Sequence, residues 1–245
     1  MIRPLLKGPH VRQAALFVTL AGLAAAALAA EPETFGKDAN GFESLFNGKD
    51  LTGWQGDPDH WSVEDGAITG TTSAEKKLTE NKFLVWAGGK LKDFELRTKF
   101  RLRNGNSGIY IRCLEREPGK GDALVGMQAD FAEDPKWVGT IMEYLRRGIL
   151  ANRGEKVMID EKGSRKVEAL GDPAELLKAY KPKEWNDYHI LCRGGRVVLT
   201  INGVVMADLQ DDDPKRLAEG VLGLQVHQGP PMKVQFKDLW LKRLD

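Results

Sequence analysis

From Phe94 to Arg103 the chain runs Phe-Glu-Leu-Arg-Thr-Lys-Phe-Arg-Leu-Arg, apolar and polar in turn over ten residues. A period of two belongs to a strand with one face buried and the other in water. Such a strand needs a second layer to cover its apolar face, so this segment commits the chain to a layered β architecture. Further strand patterns fall at residues 107–114, 127–131, 140–146, 187–193, 197–201, 222–227 and 234–241. The turns between them carry hairpin chemistry. Asp65-Gly66 and Asn202-Gly203 suit two-residue loops whose central positions need positive φ, and Arg193-Gly194-Gly195-Arg196 joins another pair. Many short strands with Gly-rich turns predict a sandwich or barrel.

Only residues 173–180 read as a helix, with Asp172 as cap, Pro173 in the first turn, and Leu176, Leu177 and Tyr180 on one face. That helix lies within a charged insertion spanning about residues 152–184. Three parts follow along the chain: an export signal over 1–30, a flexible leader over 31–40, and one domain over 41–245. Arg3, Lys7 and Arg12 begin the signal, an uncharged run follows, and Ala27-Leu28-Ala29 offers a cleavage site. The apolar run is at the short end of the roughly 17 to 25 residues a membrane span requires. The expected destination is therefore the periplasm or the exterior, with no membrane attachment after cleavage.

A net charge of +1 provides no pull towards nucleic acid and suits a neutral sugar. Cys113 and Cys192 both fall in strand patterns, where a disulfide and two buried thiols are equally consistent with an oxidising compartment. No Gly-x-Ser-x-Gly turn, phosphate-binding loop or His-Glu-x-x-His helix occurs.

Strand parity locates a wet face. Tyr110 and Arg112 share one side of their strand, Gln128 and Asp130 one side of the next, and Gln225 and His227 one side of a third. On any single strand such residues can simply decorate a solvated surface. Outer faces, however, use Lys, Glu and Thr, as Glu95 and Lys99 do here. Gln, Asp, Arg, Tyr and His together bring planar hydrogen-bonding groups and proton carriers to one place. Glu143 has Ile141 and Leu145 on its own side, an apolar setting unless the strand bends. Arg146-Arg147 can hold an anion or end a strand in water, and His189 reads as structural.

Several strings occur in an order that resembles the 3-keto-disaccharide hydrolase family: Leu45-Phe46-Asn47-Gly48-Lys49-Asp50-Leu51-Thr52-Gly53-Trp54, Trp61-Ser62-Val63-Glu64-Asp65-Gly66, Gly105-Asn106-Ser107-Gly108-Ile109, Glu184-Trp185-Asn186-Asp187-Tyr188, Asn202-Gly203 and Gly223-Leu224-Gln225-Val226-His227. The resemblance implies an all-β, two-sheet antiparallel sandwich, a concanavalin-like jelly roll with a short helical insertion, and a groove lined by Gln128, Asp130, Glu143 and Arg146. It also implies cleavage of 3-keto-glycosides.

A ketone at C3 acidifies the hydrogen on C2, and the glycosidic oxygen on C1 can then leave by elimination. Hydration of the enone completes net hydrolysis. The chemistry needs a base, donors for the enolate oxygen and an acid at the leaving oxygen. On this reading His227 or Glu143 is the base, Asp130 the acid or an orienter, and Arg112 and Gln128 hold O3. Tyr110, Arg146 and Gln225 complete the sugar contacts. Two alternatives stay open: an ordinary glycosidase using Asp130 and Glu143 about 5 to 9 Å apart, and a lectin-like module that binds without turnover. Asp130, Glu143 and His227 are also legitimate divalent-metal ligands, although no spacing motif demands a metal.

Overall fold

The computed structural model describes residues 34–244 except 76, 118, 120 and 121, so the expected export signal lies outside the described residues. In chain order the strands are β1 (Glu43–Ser44), β2 (Trp54–Gln55), β3 (Trp61–Glu64), β4 (Ala67–Thr71), β5 (Lys82–Trp86) and β6 (Phe94–Arg103). Next come β7 (Asn106–Glu115), β8 (Leu124–Ala132), a 3-10 turn (Pro135–Trp137), β9 (Ile141–Tyr144), β10 (Gly148–Ala151), β11 (Glu155–Ile159) and β12 (Arg165–Ala169). After helix α1 (Pro173–Leu177) follow β13 (Asn186–Arg193), β14 (Arg196–Ile201), β15 (Val204–Asp211), β16 (Val221–Val226) and β17 (Lys233–Arg243).

They form two sheets. The larger has the order β12-β11-β15-β14-β13-β6-β17-β4-β3, with β1 beside β17, and the smaller β10-β9-β8-β7-β16-β5-β2. Among the described residues every strand pair is antiparallel except β11 with β15. The long alternating segment is β6, placed centrally between β13 and β17, with Leu96 and Phe100 turned fully inward. Facing it across the core are Ile109, Met127, Phe131 and Leu224 of the smaller sheet. The rings of Phe100 and Phe131 meet with centroids 4.1 Å apart. The hairpin signals act as their chemistry predicts: Asp65 and Gly66 have φ of 51° and 70°, Asn202 and Gly203 of 48° and 81°.

Two expectations change. The described end of the leader is not free, because Phe35 N–H donates to Ser44 O at 2.8 Å and Lys37 bridges to Glu43, folding the leader back on β1. The charged insertion joins the edge of the larger sheet through β11 and β12. Its helix is shorter than the periodicity predicts, ending at Leu177, with Asp172 capping the Ala174 and Glu175 N–H groups.

Candidate functional site

The face of the smaller sheet that points away from the core carries a groove of about 340 Å³, within the ordinary range for small-ligand sites. Asn106, Gln128, Asp130 and Gln225 lie along its polar side and Trp137, Met142 and Tyr144 supply apolar surface, with His227 and Asp134 also lining it. Strand parity explains the floor. Met127, Ala129 and Phe131 enter the core, so Gln128 and Asp130 must project the other way. Gly108, opposite Asp130 in the register, leaves the space that the Gln128 side chain fills; a Cβ there would lie 2.5 Å from Gln128 Nε2.

A chain of hydrogen bonds crosses the floor. Gln225 Nε2 donates to the Tyr110 hydroxyl at 3.0 Å, and Gln128 Nε2 donates to Gln225 Oε1 and to Asp130 Oδ1, both at 3.2 Å. Asn106 Nδ2 donates to the same Asp130 oxygen at 3.1 Å. Burial of Asp130 pushes its carboxyl up to about 8, against the opposing pull of the Asn106 amide and the Phe131 N–H. At neutral pH this carboxyl therefore keeps its proton. Asn106 Oδ1, at the same spot, is buried without a partner.

A second cluster supports the far wall. The Tyr144 hydroxyl donates to Asp122 Oδ2 at 2.6 Å, and Asn81 donates to Asp122 through both its N–H at 2.7 Å and its Nδ2 at 2.8 Å. The Gln228 N–H donates to Asn81 Oδ1 at 2.9 Å, which anchors the residue next to His227. Burial and the bond to Asp122 raise the Tyr144 phenol to about 12. His227 itself sits just past the end of β16, half-buried, with Nδ1 against the Gln228 carbonyl oxygen.

Of the residues singled out in the sequence, Gln128, Asp130, Gln225 and His227 line the groove. Tyr110 lies beneath them, fully buried between Phe83 and Tyr144, and orients Gln225 rather than meeting a ligand. Arg112 does not arrive. A bulge in β7 gives it φ of 50° and turns it away, where it donates to Lys92 O (2.6 Å), Gly194 O (2.8 Å) and Asp93 Oδ1 (3.0 Å).

Glu143 pairs in register with core-facing Met127, so it lies on the opposite face of the sheet from Asp130. There it holds Arg147, which also forks onto Asp211 Oδ2 at 2.6 Å and Oδ1 at 3.1 Å. The Nε of Arg146 is within ion-pair distance of Glu143 at 3.2 Å, though not aligned as a hydrogen bond, and its Nη2 donates to Lys215 O at 2.6 Å. These four charges tie β9 to β15 of the other sheet. Asp130 and Glu143 thus form neither a carboxylate pair nor, with His227, a ligand set. Among the described residues no three His, Cys, Asp or Glu side chains converge as metal ligands would.

Sequence reasoning missed Asn106, Trp137, Met142 and Tyr144. Parity held the signal for Met142 and Tyr144, which alternate with Glu143 and so must face the other way. Asn106 stands in the Gly105-Asn106-Ser107-Gly108 string. Trp137 lies on a short turn with no periodicity to read.

A sandwich of this topology with a polar-aromatic groove on one sheet belongs to the jelly-roll class, which known structures bear out. A candidate glycosyl hydrolase from Parabacteroides distasonis is 25% identical and matches with a TM-score of 0.54, over 84% of this chain and 96% of its own. Another from the same organism reaches 0.55 at 19% identity, over 83% and 99%. A Bacillus subtilis protein with a galectin-like fold reaches 0.52 at 13% identity, over 79% and 90%.

The chain belongs to the family described as the 3-keto-alpha-glucoside-1,2-lyase-like domain, whose model matches residues 41–242. A 3-keto-disaccharide hydrolase of Bacteroides thetaiotaomicron is 36% identical over 86 residues, a match covering 32% of this chain and only 29% of that protein.

Proposed function

We propose that this protein cleaves 3-keto-glycosides in the groove by elimination and hydration. The observation that carries the reading is Asp130, a carboxyl on the groove floor that holds its proton to about pH 8 and can give it to a leaving oxygen. His227 takes the C2 hydrogen as the C1–O bond breaks, while Asp130 protonates the departing oxygen. The carboxylate so formed then accepts a proton from the water that adds to C1, and protonated His227 returns its proton to C2. Gln128 spends both amide hydrogens on Asp130 and Gln225, so it orients the acid. Asn106 has a second N–H available for the enolate oxygen O3. Trp137 and Tyr144 offer faces on which a pyranose ring can stack. The family description and the name of the Bacteroides relative support the 3-keto substrate.

A second reading has one observation in its favour. Asp134 also lines the groove, and its carboxylate is held below the ordinary range by the Lys136 N–H, so Asp130 and Asp134 are pushed in opposite directions as a glycosidase pair would be. Incubation with 3-keto-disaccharides and their parent disaccharides in deuterated water decides between them. Elimination predicts cleavage of the 3-keto sugar with deuterium entering at C2, and loss of both in His227→Ala. Cleavage of the parent sugar without exchange establishes the two-carboxylate reading, and affinity without turnover a lectin-like module. Export, for which the basic start and apolar run before residue 31 are the support, belongs to the same proposal.

A further inference from the structure

We infer that Arg153, in the charged insertion, is a positioning residue that fixes the wall of the groove carrying Trp137. The inference rests on the groove being the ligand site. Its basis is a three-way tether. Arg153 Nη1 donates to the carbonyl oxygens of Pro135 (2.7 Å) and Val138 (2.6 Å), which bracket the 3-10 turn, and Arg153 Nε donates to Pro173 O (2.9 Å) at the start of α1. The guanidinium is half-buried, and each of these bonds goes to a backbone carbonyl.

The turn needs such a hold. None of its three residues is fully buried and Trp137 is half-buried, so packing alone does not fix the turn. Its C-terminal end is pinned by Val138 in the core and by Gly139, where φ of 77° and a Cβ approach of 2.5 Å to Met206 leave no room for a side chain. On the insertion side a cleft of about 500 Å³, lined by Lys136, Arg153, Val167 and Pro173, leaves the turn space to shift once the tether is cut. Arg153 is itself held by its neighbour: Gly154 N–H donates to Met206 O at 2.7 Å, which locks the start of the insertion to β15. The insertion therefore serves the groove as a buttress from behind, and through Arg153 it sets where Trp137 presents its face to the ligand.

Two measurements test this. In protein labelled with 5-fluorotryptophan, the Trp137 resonance, identified by its loss in Trp137→Phe, should shift or broaden in Arg153→Ala while the other tryptophan resonances stay put. An unmoved Trp137 signal overturns the inference whatever the substrate. With a 3-keto-disaccharide, Arg153→Ala should raise KM about two- to tenfold, the scale of one lost stacking contact, with kcat little changed. Arg153→Ala combined with Trp137→Ala should be no worse than Trp137→Ala alone, because the two act through one contact. Additive losses, or a fall in kcat at constant KM, overturn it. Should the wild type turn over no sugar, the functional reading fails while the fluorine spectrum still decides the positioning claim.

Discussion

Asp130 ordinarily would ionise near 3.8, and burial raises this to about 8. The proton that makes it an acid also couples it to stability. Its folded value lies above its unfolded one, so between about pH 4 and pH 8 the folded state binds the extra proton, and stability falls as pH rises across that window. Asp130→Asn keeps an acceptor for Asn106 and Gln128 without the charge. Its melting temperature should exceed the wild type's at pH 9, with the gap closing towards pH 4. The same change should lower kcat/KM roughly 10² to 10⁴-fold, the usual weight of a general acid, and abolish the loss of rate above pH 8. Glu143 predicts the reverse pattern. Glu143→Gln leaves the groove untouched but replaces the buried carboxylate that holds Arg147 with a neutral amide, so unfolding in denaturant should show a loss on the order of 2 kcal/mol. Its kcat/KM per folded molecule should remain that of the wild type.

At the scale of elements, the site depends on β7, β8 and β16 lying flat enough for side chains from all three to meet on one face. Gly108 tests that dependence. Its backbone is unstrained, so Gly108→Ala acts only by pushing Gln128 off Asp130 and Gln225. Such a displacement should reduce kcat/KM by about ten- to a hundredfold, with a stability loss of about 1 to 3 kcal/mol from overpacking. Steady-state kinetics beside a denaturation curve checks both. The neighbouring bulge shows the opposite case. Regular pairing would have kept Arg112 beside Tyr110; the one positive φ sends it to the Asp93 and Gly194 loops, where it closes three bonds instead of binding sugar.

Across the whole molecule, the two sheets separate groups that the sequence leaves free to meet. Cys192 belongs to the core between the sheets, and Cys113 to a small cluster with Phe83, Tyr110 and Leu124 on the groove side. Both are free and buried; burial pushes the Cys192 thiol up to about 12 and that of Cys113 well above its ordinary value. The native protein should therefore resist iodoacetamide at pH 8, and both thiols should react after unfolding without reductant, as mass spectrometry will show. Cyclic periodicity and turn chemistry are local properties, so β6, the Asp65-Gly66 hairpin and the outward side of Gln128, Asp130 and Gln225 could be read along the chain. Parity alone even placed Glu143 on the apolar side, although not the Arg147 that meets it there. What joins distant segments could not be read in this way. The bulge that removes Arg112, the partners that claim Glu143, the turn that brings Trp137 to Asp130 and the burial that holds the Asp130 proton all depend on packing between residues far apart in sequence. Local pattern thus determined which elements form and which way their side chains point, whereas only the tertiary structure decided which of those side chains share a site, because proximity and desolvation arise from the stacking of the two sheets.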